Sequence, residues 1–222
     1  MKEILQKLQK PLAFFAEVCY NVAREKTDVL RVGFPYDFYD FLVYAHLQRT
    51  PRHEHFGKVI CNKYSIENFT NVLDVGAGRI CRLSKYLLDR GYSVTAIDPK
   101  IRLQDGEIEG LELIREHFKS DEYSKRKKGT NISEYDLVVG LEPCDATEHI
   151  IRQCLKYNKP FEISLCFAPH RALNGRNFND YKEWHTYLDS ISEDVHIEKL
   201  PDGQIVASGG KQKDKTNKDE ER

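Results

Sequence analysis

Val72-Leu73-Asp74-Val75-Gly76-Ala77-Gly78-Arg79, followed about twenty residues later by Val94-Thr95-Ala96-Ile97-Asp98, decides the fold. The first stretch reads as a short buried strand running into a glycine turn, with a helix from about Ile80 to Arg90. The second reads as another strand, 93–97, that ends in a carboxylate. Gly76 and Gly78 lack a Cβ, so the backbone turns sharply and a ligand can lie directly against it. The turn amides, with Ala77 between the glycines, and the helix N-terminus present donors to an anionic group. Asp98, at the carboxyl end of the next parallel strand and followed by Pro99, is placed to accept bonds from the hydroxyls of a ribose. The expectation is a nucleoside-binding βαβ unit.

Two ligand classes fit such a unit. A dinucleotide site uses G-x-G-x-x-G/A, whose small third residue lets helix and strand pack around a pyrophosphate. Here the third position is Cys81, which weighs against that class. The Asp74-x-Gly76-x-Gly78 form resembles motif I of the class I S-adenosylmethionine (AdoMet) methyltransferases. The resemblance implies that the turn holds the amino-acid end of AdoMet, with Asp74 near its ammonium group and Asp98 on its ribose.

Composition bounds the rest. At 222 residues the chain holds one sizeable domain, and 40% hydrophobic with 31% charged residues marks a globular protein. No apolar run reaches the length of a membrane span, and Met1-Lys2-Glu3 opens no signal-peptide pattern, so a cytoplasmic location and no membrane partner are expected. A net charge of −1 supplies no global field toward nucleic acid. Cys19, Cys61, Cys81, Cys144, Cys154 and Cys166 contain no C-x-x-C pair, so reduced thiols are expected rather than a disulfide framework.

Along the chain, residues 1–57 read as an N-terminal helical cap, 58–210 as an AdoMet-binding domain and 211–222 as a charged disordered tail. Within the cap, Pro11 divides the first helix, and a second over 36–48 carries Tyr36, Phe38, Tyr39, Phe41 and Tyr44. That aromatic surplus fits a pocket wall or a homodimer contact as well as a packed cap. Arg49–Gly57, with His53 and His55, reads as a basic loop, and two histidines without a third ligand indicate no metal. After Asp98 the crossover to a third strand near 111–115 is too short for a full helix. Lys125-Arg126-Lys127-Lys128 is a solvated loop or a contact for RNA phosphates. Strands over 135–141 and 161–167 flank a helix over 145–157, with Asp145 as N-cap and Glu148 completing a capping box. Residues 168–179 read as loop and 180–191 as helix. The Asp202-Gly203 turn closes a final hairpin. The fold class is therefore α/β: a Rossmann-like, seven-stranded, mostly parallel sheet with an antiparallel last strand, beneath the helical cap. A terminal hairpin matches that family and weighs against a dinucleotide domain built only from parallel repeats.

Ligands of open α/β sheets sit at the carboxyl ends of the strands. The resemblance places AdoMet over the first three strand ends, with Glu116, after the third, toward adenine. Gly140–Glu148 is similar to the His-x-Cys-Gly-x-Ala-Thr-Asp turn of a methyltransferase group that includes tRNA ribose methylases. Leu165-Cys166-Phe167-Ala168-Pro169-His170 is similar to the end of that group's fifth strand. Glu142 stands where the group has His, and Asp145 where it has Gly. The candidate catalytic groups are Glu142 or Asp145, to orient or deprotonate the acceptor, and His170 over the pocket, with Cys144 as a further nucleophile. The expected activity is AdoMet-dependent methyl transfer to RNA or a small molecule. The alternatives are a non-catalytic nucleoside-binding or scaffolding module acting through its aromatic cap, and an NAD-dependent enzyme.

Overall fold

The computed structural model describes residues 51–123, 129–168, 170–200 and 203–210. The aromatic helices expected before residue 51, the basic run 125–128 and the tail 211–222 lie outside the described residues. The chain divides after Arg49, and the second unit holds every described element, numbered in chain order.

Five strands form the parallel part of the sheet: β1 (Asn71–Val75), β2 (Ser93–Ile97), β3 (Leu111–Ile114), β4 (Leu137–Leu141) and β5 (Phe161–Ser164). Two-residue strands β6 (His170–Arg171) and β7 (Asn177–Phe178) make a separate hairpin. Strands β8 (Val195–Lys199) and β9 (Ile205–Gly209) close the chain. The seven-stranded order is β3-β2-β1-β4-β5-β9-β8, with β9 antiparallel to both its neighbours. The order reverses between β1 and β4, which makes their carboxyl ends the topological switch point.

Helices α1 (Arg52–Lys63), α2 (Arg82–Leu88), α3 (Thr147–Tyr157) and α4 (Tyr181–Asp189) cover the sheet. Strands buried on both sides carry near-continuous apolar runs, and their successive side chains enter different layers. Val72, Leu137 and Val139 pack with Phe56 and Ile60 of α1 and Leu83 and Leu87 of α2. Leu73, Val75 and Val138 pack with Ile150 and Ile151 of α3 and Trp184 and Leu188 of α4. By this alternation Asp74 falls on the face of Val72, toward α2.

Three local expectations are corrected. The basic stretch Arg52–Gly57 is the first half of α1, because Phe56 and Ile60 give it an apolar side. Gly57 sits where this helix meets α2: a Cβ there would fall 2.2 Å from the ring of Tyr86. The 168–179 segment is not all loop but contains the β6–β7 hairpin. Asp145 does not cap α3, whose N-cap is Ala146 without a side-chain bond. Glu148 forms no capping box; it is buried and accepts from Arg152 (2.8 Å), Tyr187 Oη (2.7 Å) and the Leu173 amide (2.8 Å), joining α3, α4 and the hairpin. The crossover from β2 to β3 contains no helix, as its length predicted.

Candidate functional site

The turn after β1 is held by β2. The Gly76 amide donates to the Ile97 carbonyl at 2.9 Å, and the Ala77 amide reaches the same oxygen at 3.5 Å. The Gly78 amide donates to Oδ2 of Asp98 at 3.0 Å, while Lys100 N donates to Oδ1 at 2.7 Å. These amides are already engaged inside the protein, so the turn presents fewer donors to an anion than expected. Asp98, half-buried, retains lone pairs on both oxygens.

The two glycines serve different ends. Both have positive φ, 72° and 71°. A Cβ on Gly76 would lie 2.8 Å from Cα of Pro143, so this glycine lets the β1 and β4 loops touch at the switch point. A Cβ on Gly78 would meet nothing within 4 Å, so the space for a ligand opens there. The turn ends on Cys81, which is buried, takes a left-handed φ of 47° and delays the helix to Arg82.

Asp74 lies beneath the turn, fully buried. Its Oδ2 accepts from Ser84 Oγ of α2 at 2.5 Å, and its Oδ1 has no partner among the described residues. Burial pushes its carboxyl up to about 6, with the charge of Asp98 adding to the rise and the Ser84 bonds opposing it. A buried carboxylate short of one donor, under a turn that opens at Gly78, fits a ligand bearing a positive group. Sequence reasoning did not single out Ser84; its signal is a serine between Leu83 and Tyr86 on a buried helical face.

At the end of β4 the chain turns through two left-handed residues, Glu142 (φ 53°) and Cys144 (φ 49°). Glu142 is ion-paired with Arg52 at the start of α1, another partner the sequence did not point to. Burial raises the Glu142 carboxyl, and Arg52 opposes the rise. Asp145 is exposed on the same loop. Beyond β5, His170 does not stand open over the strand ends. It is buried, stacks on Trp184 with ring centroids 5.0 Å apart, and brings Nε2 within 2.7 Å of Cys166 Sγ. Burial lowers its basicity.

The structure thus gathers Asp74, Gly76, Ala77, Gly78, Asp98 and Pro99 at the ends of β1 and β2, and places Glu142 and Asp145 across the switch point from them. Glu116 is exposed, two residues past the end of β3, and Pro99 is exposed beside Asp98.

The fold has a counterpart among solved structures. A Methanococcus maripaludis protein, provisionally described as an S-adenosyl-L-methionine-dependent methyltransferase, superposes with a TM-score of 0.51 over 80% of this chain and 92% of its own, at 14% identity. The chain has the class I methyltransferase fold. The 1,6-didemethyltoxoflavin-N1-methyltransferase of Burkholderia thailandensis, crystallised with 1,6-didemethyltoxoflavin and S-adenosylhomocysteine, gives 0.45 over 85% of this chain and 90% of its own, at 17% identity. No family model and no curated relative matches the sequence. Among the described residues no helix is long and apolar enough to cross a membrane.

Proposed function

We propose that the protein binds AdoMet at the ends of β1 and β2 and transfers its methyl group to an acceptor approaching from the β4 side. The observation that carries this reading is the pairing of Asp74 and Asp98 around the turn. One is a buried carboxylate with an unmatched oxygen, the other a half-buried carboxylate tied to the Gly78 amide. A sulfonium nucleoside offers an ammonium group and a ribose diol, the two groups these acids would receive. The Methanococcus protein of the same fold, described as AdoMet-dependent, supports the same cofactor.

When bound, AdoMet supplies an electrophilic methyl group. The residues of this chain then have three tasks. The Gly76–Gly78 turn and Asp98 fix the nucleoside, and proximity of this kind is worth up to ~7–11 kcal/mol in favourable cases. Pro143, packed against Gly76, sets the distance between the cofactor turn and the acceptor loop. Asp145 is the carboxylate left open to orient the acceptor or take its proton, since Glu142 is held by Arg52 and His170 by Cys166 and Trp184. The acceptor class, RNA or a small molecule, follows from the sequence resemblance alone.

Titration calorimetry with AdoMet and S-adenosylhomocysteine tests the cofactor. Saturable binding of both is expected, and no heat at millimolar ligand would overturn the reading. Transfer of radiolabelled methyl to fractionated RNA, protein and small-molecule pools then identifies the acceptor.

A further inference from the structure

Cations gather on the rim of the cofactor space. Arg79 directly follows Gly78, Arg82 opens α2, and Lys100 and Arg102 follow Asp98 in the loop after β2. The two segments lie against each other: the Arg102 amide donates to the Arg79 carbonyl at 3.0 Å, beside the Gly78–Asp98 bond at 3.0 Å. All four side chains are exposed, and among the described residues no carboxylate or other acceptor engages any of them. Within 76–82 and 98–102 the one acid is Asp98, which accepts from the amides of Gly78 and Lys100. Past Arg102 the basic strip ends: Asp105 is paired with Arg115 at 2.9 Å, and Glu107 accepts from the Gln104 amide at 2.7 Å. Ile80, 49% exposed, stands between Arg79 and Arg82.

The chain as a whole has a net charge of −1, so this concentration of cations is local rather than a general basicity. Like charges on one rim repel one another, and a partner that brings several anionic groups relieves that repulsion. AdoMet is not that partner: it carries one carboxylate against an ammonium and a sulfonium, enough for one of the four at most. A small acceptor entering over β4 meets the other side of the switch point. We propose that the rim is the backbone track of an RNA acceptor, with Arg79, Arg82, Lys100 and Arg102 on its phosphates and Ile80 as an apolar contact among them. Guanidinium forks match phosphate oxygens in pairs, and Lys100 adds a compact charge. Such contacts fix where the strand lies without reading its sequence. The inference rests on the proposed methyl transfer at this site; of the two acceptor classes open to it, RNA is the one that brings a run of anions across the cofactor mouth.

The test is fluorescence anisotropy of the full chain, without AdoMet, on a labelled single-stranded RNA of mixed sequence. Four phosphate contacts on a single strand correspond to a roughly 50-fold loss of affinity between about 50 and 200 mM salt. The wild-type protein should lose at least that much. A variant with Arg79→Ala, Arg82→Ala, Lys100→Ala and Arg102→Ala should bind more weakly and lose roughly 50-fold less over the same salt step. The paired variants, Arg79→Ala with Arg82→Ala and Lys100→Ala with Arg102→Ala, should each lose roughly 7-fold less, which decides the matter even if the fourfold variant fails to fold. No RNA binding, tighter binding of a DNA strand of the same sequence, a salt dependence unchanged in the rim variants, or radiolabelled methyl entering only the small-molecule pool would overturn the inference. Calorimetry with AdoMet on the same proteins keeps the two readings apart. AdoMet binding beside RNA binding that ignores the rim sinks the RNA track alone, whereas RNA held by the rim with no AdoMet heat sinks the cofactor reading and leaves the rim an RNA surface.

Discussion

The backbone amide of Gly78 and the carboxylate of Asp98 are joined at 3.0 Å, so the residue that opens the cofactor space and the residue assigned to the ribose are one mechanical unit. Asp98→Ala therefore removes both the ribose acceptor and a tether of the turn. AdoMet affinity is expected to fall by ~1–3 kcal/mol through lost hydrogen bonds to a charged group. Asp98→Asn retains one acceptor oxygen and should lose less. Calorimetry on the two variants checks the order, and equal wild-type-like affinities would show that the ribose lies elsewhere.

Asp74 makes the site costly to the fold. Its carboxyl is raised to about 6 from 3.8 because burial disfavours the charge. A raised folded value means that the native state holds a proton the unfolded chain has already released. Stability at this residue is therefore full below about pH 4 and is lost as pH rises through about 6. Asp74→Asn keeps an acceptor for Ser84 and removes the charge. Its expected gain is about 1–3 kcal/mol at pH 8, vanishing below pH 4, with weaker AdoMet binding at pH 8. Denaturant melts at the two pH values read the first effect, and calorimetry the second.

The β1–turn–β2 unit was legible because its chemistry is local: an apolar run, two glycines at positive φ and an acid at the next strand end need no distant partner to be recognised. Strands β4 and β5 and the final hairpin were legible for the same reason. What sequence reading missed depends on long-range contacts. The first half of helix α1, Arg52–Gly57, is mostly polar and is defined by Phe56, with Ile60 a turn further on, meeting the sheet and by Gly57 yielding to Tyr86. The β6–β7 strands are two residues each, too short to show alternation. Arg52 reaches Glu142 across ninety residues, and Ser84 reaches Asp74 from another element. These partners decide which candidate acids are engaged and which remain open.

The opposite end of α1 carries a second charged anchor. Glu162 of β5 is fully buried, and its Oε2 accepts from Lys63 Nζ and from Tyr64 Oη, each at 2.8 Å. Burial raises its carboxyl, and Lys63 opposes the rise. Lys63→Met leaves a buried carboxylate with only the tyrosine. Breaking a buried pair costs about 3–5 kcal/mol; because Lys63 is 28% exposed, about 2–4 kcal/mol is expected at pH 8. The loss should shrink as falling pH protonates Glu162, and Glu162→Gln in the Lys63→Met background should recover most of it. Chemical denaturation across pH measures both.

Glu142 and Asp145 are three residues apart on one loop, yet their surroundings assign them different work. Glu142, in a left-handed conformation, is paired with Arg52, whose side chain is only 17% exposed. Removing the Glu142 charge weakens a partly buried ion pair that ties the β4 loop to α1, so Glu142→Gln should lower stability and leave the methyl-transfer step changed only a few-fold. Asp145 is exposed, and no cation or donor among the described residues engages its carboxylate. For an acceptor that loses a proton during transfer, Asp145→Asn should slow the chemical step about 10²–10⁴-fold with AdoMet affinity unchanged. Single-turnover transfer to the identified acceptor, alongside calorimetry, separates the two. A slow Glu142→Gln protein beside a fast Asp145→Asn protein would mean that Arg52 releases Glu142 when the acceptor binds, and that the ion pair is a gate rather than an anchor.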